Sequence, residues 1–183
     1  LFGVQSILFF SLVAWLPAIL TEGGVSSQAI TTCVALFPIV GIPCTIFVPP
    51  IAQRLKRQRL FGASIGMICV IGIVALFFVN ADATAIVATV IVGFALGAPF
   101  CLCMYYFGVR TENPEDSSKL SSISQTFGYL MAAIGPACLG LLVDLSGSWF
   151  LPLAVMLVLS IVLVICGWKS GSGTIPAGSA KTD

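Results

Sequence analysis

Two glutamines, Gln5 and Gln125, stand inside otherwise apolar stretches of this chain, and they are its sharpest candidates for binding chemistry. Gln5 continues at helical spacing to Phe9, Leu12 and Leu16, and Gln125 is followed one turn later by Tyr129. An amide in hydrocarbon is costly unless paired. Each glutamine therefore marks a face that meets a small polar solute, or else a hydrogen bond between helices: to the other glutamine, or to a backbone carbonyl freed by a proline. Both lie toward one end of their runs. Phe94 is the aromatic deep enough in its run to face a cavity. Tyr105, Tyr106 and Phe107 end that run, and Tyr and Trp side chains favour the headgroup level there.

Other chemistries lack their parts. The chain has no histidine, which removes Ser-His and Cys-His nucleophiles and H-E-x-x-H metal sites. Seven cysteines all fall within apolar runs, where small-residue packing is their ordinary role. Cys101 and Cys103 form a C-x-C without a second ligand pair, so neither a metal nor a cofactor is expected. No Asp, Glu, Lys or Arg lies in the middle of a run, so no proton-relay carboxylate is present in these segments. The expectation is a protein that is not an enzyme.

The elements that must position these residues are membrane helices. Charged residues make up 8% of the chain against 58% hydrophobic, with mean hydropathy +1.11, where soluble domains carry roughly 25% charged residues. Crossing about 30 Å of hydrocarbon takes roughly 20 apolar residues. Six runs qualify, at about 1–20, 29–51, 60–79, 86–107, 123–143 and 150–168. Together they predict an all-α integral membrane domain over 1–168, followed by a polar tail, 169–183, expected to be disordered. All eight Lys and Arg residues fall in Arg54–Arg59, Arg110–Lys119 or from Lys169 onward, whereas the alternate connections hold Glu22, Asp82 and Asp144. Basic residues stay on the cytoplasmic side of a bilayer, so both ends are expected there. Nothing resembles a nucleic-acid footprint. Leu1 is not a methionine and no basic stretch precedes the first run, which does not read as a signal peptide; further chain is expected upstream.

The runs are dense in helix modifiers, including Pro17, Pro38, Gly41, Pro43, Gly93, Gly97, Gly135, Pro136 and Gly140. Proline breaks in membranes persist where protein or a watery cavity satisfies the freed groups. Small residues four apart, as in Gly62 with Gly66, Gly93 with Gly97 and Cys101, or Gly128, Ala132, Pro136 and Gly140, fit close helix packing. They fit pore-lining surfaces equally well, and spacing alone leaves both readings open.

The stretch Gln53, Arg54, Lys56, Arg57 and Arg59, between the second and third runs, sets orientation by charge alone. It also partly resembles the loop motif G-x-x-x-D-R-x-G-R-R of the major facilitator superfamily. Gln53 stands at the motif's aspartate, Lys56 at its central glycine, Pro49 at its first glycine, and Arg57 keeps one arginine. Trp15-Leu16-Pro17 with Leu20, Gly24, Ser26 and Ala29 extends the resemblance. The stretch from Ser121 to Pro152, with Gln125, Gly128, Tyr129, Gly135, Pro136, Gly140, Asp144, Gly147 and Trp149, is the most specific part. It resembles the eleventh-helix region of the cyanate permease and 2-nitroimidazole transporter branch.

The resemblance implies one half, the C-terminal six helices, of a twelve-helix transporter in a bacterial inner membrane. Its implied partners are the lipid bilayer, the N-terminal half and a small polar or anionic solute. It also implies a cavity lined by the first, fourth and fifth runs, through Gln5, Phe9, Phe94, Gly97, Cys101, Tyr105, Gln125 and Tyr129. Two alternatives stand beside it. One is a free-standing six-span channel or homodimeric carrier. The other is a membrane scaffold that docks a partner on the 110–119 loop with its Glu112, Glu115 and Asp116.

Overall fold

The computed structural model describes residues 1–111 and 114–171. Glu112 and the tail beyond Gly171 lie outside the described residues, so the 110–119 loop is seen only in part. Among the described residues seven helices follow in order: α1 (Phe2–Glu22), α2 (Ser27–Val40), α3 (Ile42–Arg54), α4 (Gln58–Phe77), α5 (Asp82–Val109), α6 (Pro114–Ser146) and α7 (Phe150–Ser170). α2 and α3 together form one span, so six segments are long and apolar enough to cross a membrane. Among the described residues the fold is all-α. The fifth segment, α6, begins at Pro114, nine residues before its apolar run, because Glu115 and Asp116 favour a helix N-terminus and carry the helix out past the hydrocarbon.

The second span is not one helix. Pro38 and Pro43 bracket Gly41, where α2 stops and α3 starts. Proline removes a helical donor and crowds the turn before it. At the break, α5 comes up against the chain: a Cβ on Gly97 would lie 2.7 Å from the Gly41 Cα. Gly97 therefore tolerates no side chain without separating the two spans.

α5 is the most buried helix, packed against α2, α3 and α4, while α4 pairs with α7 and α1 with α6. Glycine makes these pairs possible, since backbones must approach closely where lipid supplies no hydrophobic drive. Gly62 faces Gly167 backbone to backbone, and a Cβ on Gly66 would sit 2.7 Å from the Val164 Cα. On α6, Gly128 accepts the Phe2 ring, and Gly140 accepts the indole of Trp15, which donates from Nε1 to the Pro136 carbonyl oxygen at 2.8 Å. The small-residue rows on α4, α5 and α6 thus all lie in helix contacts.

The bundle has an acidic end and a basic end. At the acidic end the carboxylates fasten helices together. Glu22, closing α1, accepts from the Trp149 amide at 3.1 and 3.2 Å and from the Ser148 hydroxyl at 3.1 Å, at the start of α7. Asp82, opening α5, accepts from the Ser26 amide at 2.8 Å and hydroxyl at 2.7 Å, while Ser26 caps α2. Gly24 and Gly147 take positive φ in the adjoining turns. At the basic end Gln53, Arg54, Lys56, Arg57 and Arg59 are all exposed around the α3–α4 turn. There Gln58, buried, donates from Nε2 to the Ala52 carbonyl oxygen at 3.1 Å and ties the end of α3 to the start of α4.

Candidate functional site: a cavity at the helix break

A cavity of about 250 Å³ lies where α1, the α2–α3 break and α5 meet, with Tyr129 of α6 at its rim. Gln5 and Ser6 supply its amide and hydroxyl, and Thr45 a second hydroxyl. Phe9, Phe10 and Phe100 form aromatic walls. The break shapes the remaining side: Pro38 and Gly41 present backbone there, opposite Leu96, Gly97 and Cys101 on α5.

Gln5 is buried at 3% exposure. Its Nε2 donates to the Leu96 carbonyl oxygen at 3.1 Å, and its Oε1 accepts from the Ser6 hydroxyl at 3.3 Å. Leu96 follows Ala95, whose carbonyl has no helical donor because Pro99 stands four residues on. Gln5 thus pairs with a backbone carbonyl, but with that of Leu96 and not the Ala95 carbonyl that Pro99 frees, and the two glutamines do not meet. The amide still keeps capacity, since an amide offers two donors and two acceptor sites. Thr45 donates back to the Ile42 carbonyl oxygen at 2.7 Å, and its oxygen remains an acceptor.

Aromatic rings surround the site in contact geometry. Phe9 stacks on Phe37 at 5.3 Å, and Tyr129 meets Phe2 edge-on at 5.6 Å and Phe10 at 6.1 Å. Phe2 in turn touches Phe100 at 5.9 Å. Such ring pairs hold one another in offset or edge-to-face orientations, so the cavity walls are preset rather than loose. The arrangement suits a small flat molecule with a few hydrogen-bonding atoms; it contains no cation, carboxylate or metal cluster among the described residues.

Five of the residues expected from sequence, Gln5, Phe9, Gly97, Cys101 and Tyr129, come together here. Three do not. Phe94 is 40% exposed on the outside of α5, and only its carbonyl turns inward, accepting from the Cys44 thiol at 3.6 Å. Tyr105 lies further along α5 against Tyr106, ring centroids 5.9 Å apart. Gln125 donates to the Ser121 hydroxyl at 2.7 Å, one turn back on its own helix. Ser6, Phe10, Ile42, Thr45, Leu96 and Phe100 are the members that sequence reasoning missed. Phe10 had a signal, since it adjoins Phe9 in the turn after Gln5; Thr45 had one in its position two residues past Pro43.

Six segments long and apolar enough to cross a membrane, a proline-broken span and a largely apolar cavity holding an amide and hydroxyls define a polytopic all-α membrane protein. The chain belongs to the Major Facilitator Superfamily, which its residues 1–176 match. An uncharacterized transporter of Bacillus subtilis, YycB, is 33% identical over 92% of this chain, and the 2-nitroimidazole transporter of Escherichia coli is 31% identical over the same share. The cyanate transport protein CynX of Escherichia coli is 26% identical over 82% of it. The matched regions cover 42%, 42% and 38% of those proteins, so the chain spans about two fifths of the length of these relatives.

Proposed function

We propose that this chain is the C-terminal six-helix half of a twelve-helix carrier that moves a small polar or anionic organic solute across a bacterial inner membrane. The observation that carries the reading is the cavity itself: an amide, hydroxyls and aromatic walls gathered at a helix break. Discontinuous helices are where carriers of this type hold solutes. The likeness to transporters of 2-nitroimidazole and cyanate, both small and flat, agrees with the size and shape of the space.

In this reading the N-terminal half is the partner. It covers the exposed apolar sides of α3 and α6, where Ile42, Ile46, Phe127 and Leu130 stand exposed. Alternating access then follows from rocking one half against the other around the solute, with the break at Gly41 and the bends at Pro17, Pro99 and Pro136 absorbing the movement. Gln5 orients the solute by hydrogen bonds, between the aromatic walls that Phe9, Phe10 and Phe100 supply. The cavity of this half brings no positive charge, so an anionic solute draws its cation from the partner half; a neutral azole needs none. Gln53, Arg54, Lys56, Arg57 and Arg59 act as topogenic charge, and both ends face the cytoplasm.

The test is uptake of labelled 2-nitroimidazole and of cyanate by the full-length protein in proteoliposomes. Saturable uptake of either, abolished by omission of the protein, is expected. Leak rates equal to empty vesicles for both solutes, with the protein folded, would overturn the substrate class.

A further inference from the structure

The hydrogen-bonding capacity left over at the helix break is one-sided. Pro38 brings no N–H to the cavity lining, and the Gly41 and Cys44 amides are engaged by the Pro38 and Gly41 carbonyls at 3.2 and 3.1 Å. The Thr45 hydroxyl donates its proton to the Ile42 carbonyl oxygen at 2.7 Å, and the Ser6 hydroxyl donates its proton to Gln5 Oε1 at 3.3 Å. A hydroxyl has one proton to give. Both oxygens therefore meet the cavity as acceptors alone.

The same network orients the Gln5 amide. A carbonyl oxygen cannot donate, so the group 3.1 Å from the Leu96 carbonyl is Nε2, and Oε1 is the atom turned to Ser6. One Nε2 hydrogen and one Oε1 lone pair remain. The break thus offers the oxygens of Ser6, Thr45 and Gln5 as acceptors against a single amide N–H as donor. Cys101 adds only a weak S–H, and the Tyr129 hydroxyl, which turns either way, stands at the rim.

We infer that this half of the carrier holds a solute by the solute's own N–H or O–H, received by the oxygens of Ser6 and Thr45 beside the Gln5 amide. The inference rests on the carrier reading of this cavity and narrows its solute class. The class is molecules with a donor next to an acceptor, as in an azole, a neutral amide or an undissociated weak acid. An anion without a proton brings acceptors only, and against these oxygens acceptor faces acceptor. A cation from the partner half does not alter that demand, because the oxygens of α1 and α3 still need a proton donor.

Uptake by the full-length protein in proteoliposomes tests this with two isomers of equal size. 4-Methyl-2-nitroimidazole keeps its ring N–H, and 1-methyl-2-nitroimidazole has lost it. The 1-methyl isomer should show a half-saturation concentration about tenfold higher, as expected for loss of one hydrogen bond inside a closed site. Thr45→Val, which keeps the shape of the side chain and removes its acceptor, and Ser6→Ala should each narrow that gap by weakening the 4-methyl isomer. Equal half-saturation for the two isomers, with saturable uptake of both, would overturn the inference and leave the carrier reading standing. So would saturable uptake of cyanate without that of any azole. A gap that the variants leave intact would assign the donor's partner to the other half and overturn the inference as well. Uptake at the rate of empty vesicles for every azole and for cyanate, with the protein folded, would overturn the carrier reading and the inference with it. Should one variant fail to fold, the other carries the same comparison.

Discussion

Replacing Gln5 with leucine separates the two roles the structure gives this side chain. Within the protein the amide makes one bond to the Leu96 carbonyl at 3.1 Å and accepts one from Ser6 at 3.3 Å. A typical intramolecular hydrogen bond contributes about 0.5–1.5 kcal/mol net, and those between membrane helices average about 0.6 kcal/mol. The Ser6 hydroxyl can turn to a carbonyl of its own helix, and leucine restores the buried apolar volume. The folding cost is therefore about 1 kcal/mol, too little to deplete a protein whose stability is about 5–15 kcal/mol. A solute that bonds to the same amide loses a similar interaction, and 1.4 kcal/mol corresponds to about a tenfold change in affinity. Gln5→Leu should thus raise the half-saturation concentration of uptake roughly threefold to tenfold at unchanged membrane abundance. The assay is initial-rate uptake in proteoliposomes, normalised to folded protein by size-exclusion chromatography. Unchanged half-saturation would refute the solute contact and leave Gln5 as an interhelical tie alone. Lost abundance would refute the energetic reasoning.

Further predictions follow from the packing. Gly66→Ala sets a methyl against the Val164 backbone and should destabilise the α4–α7 pair by about 1–3 kcal/mol, seen as a lower melting temperature in detergent; an unchanged melt contradicts the close contact. Trp15→Phe removes the bond to Pro136 and should cost about 1 kcal/mol. Gly140→Ala, which pushes the same indole aside, should add little on top of it in a double-mutant cycle, whereas additive losses would mean the two sites are independent. Glu22→Ala should speed amide hydrogen exchange at Trp149 and through the first turn of α7, leaving the first turn of α5 as it was.

The spans were legible because hydrocarbon admits long apolar runs and expels charge, so Arg54–Arg59 and Asp82 bound their neighbours without any tertiary information. The split at Gly41 was less so. Pro38 and Pro43 announced a disturbance, yet whether such a pair bends a helix or ends it depends on what meets the gap, here the glycine face of α5. The cavity divided along similar lines. Gln5 and Phe9 share a helical face, and Gly97 with Cys101 another, so spacing grouped them. Gln125 followed the same rule and went elsewhere, because Ser121 lies one turn back and satisfies its amide locally. Hydroxyls carry the opposite ambiguity: Thr45 bonds to its own helix, as Thr31, Thr32 and Ser64 do on other faces, so residue type does not separate it from them and only its nearness to Pro43 does. In the α3–α4 loop the motif drew attention to Gln53, which is exposed, while the buried tie is Gln58; burial of one amide among several polar neighbours is decided by the turn, not by residue type.

If the cavity at the break holds the solute, a bound solute shields a thiol on the cavity lining from alkylation. In the full-length protein freed of its native cysteines, Thr45→Cys places a thiol on the cavity lining, and Ser64→Cys places one on the exposed face of α4. Alkylation at position 45 should slow in the presence of 2-nitroimidazole, with a concentration dependence matching uptake, while position 64 reacts at a constant rate. Equal alkylation at position 45 with and without a transported solute would contradict the account.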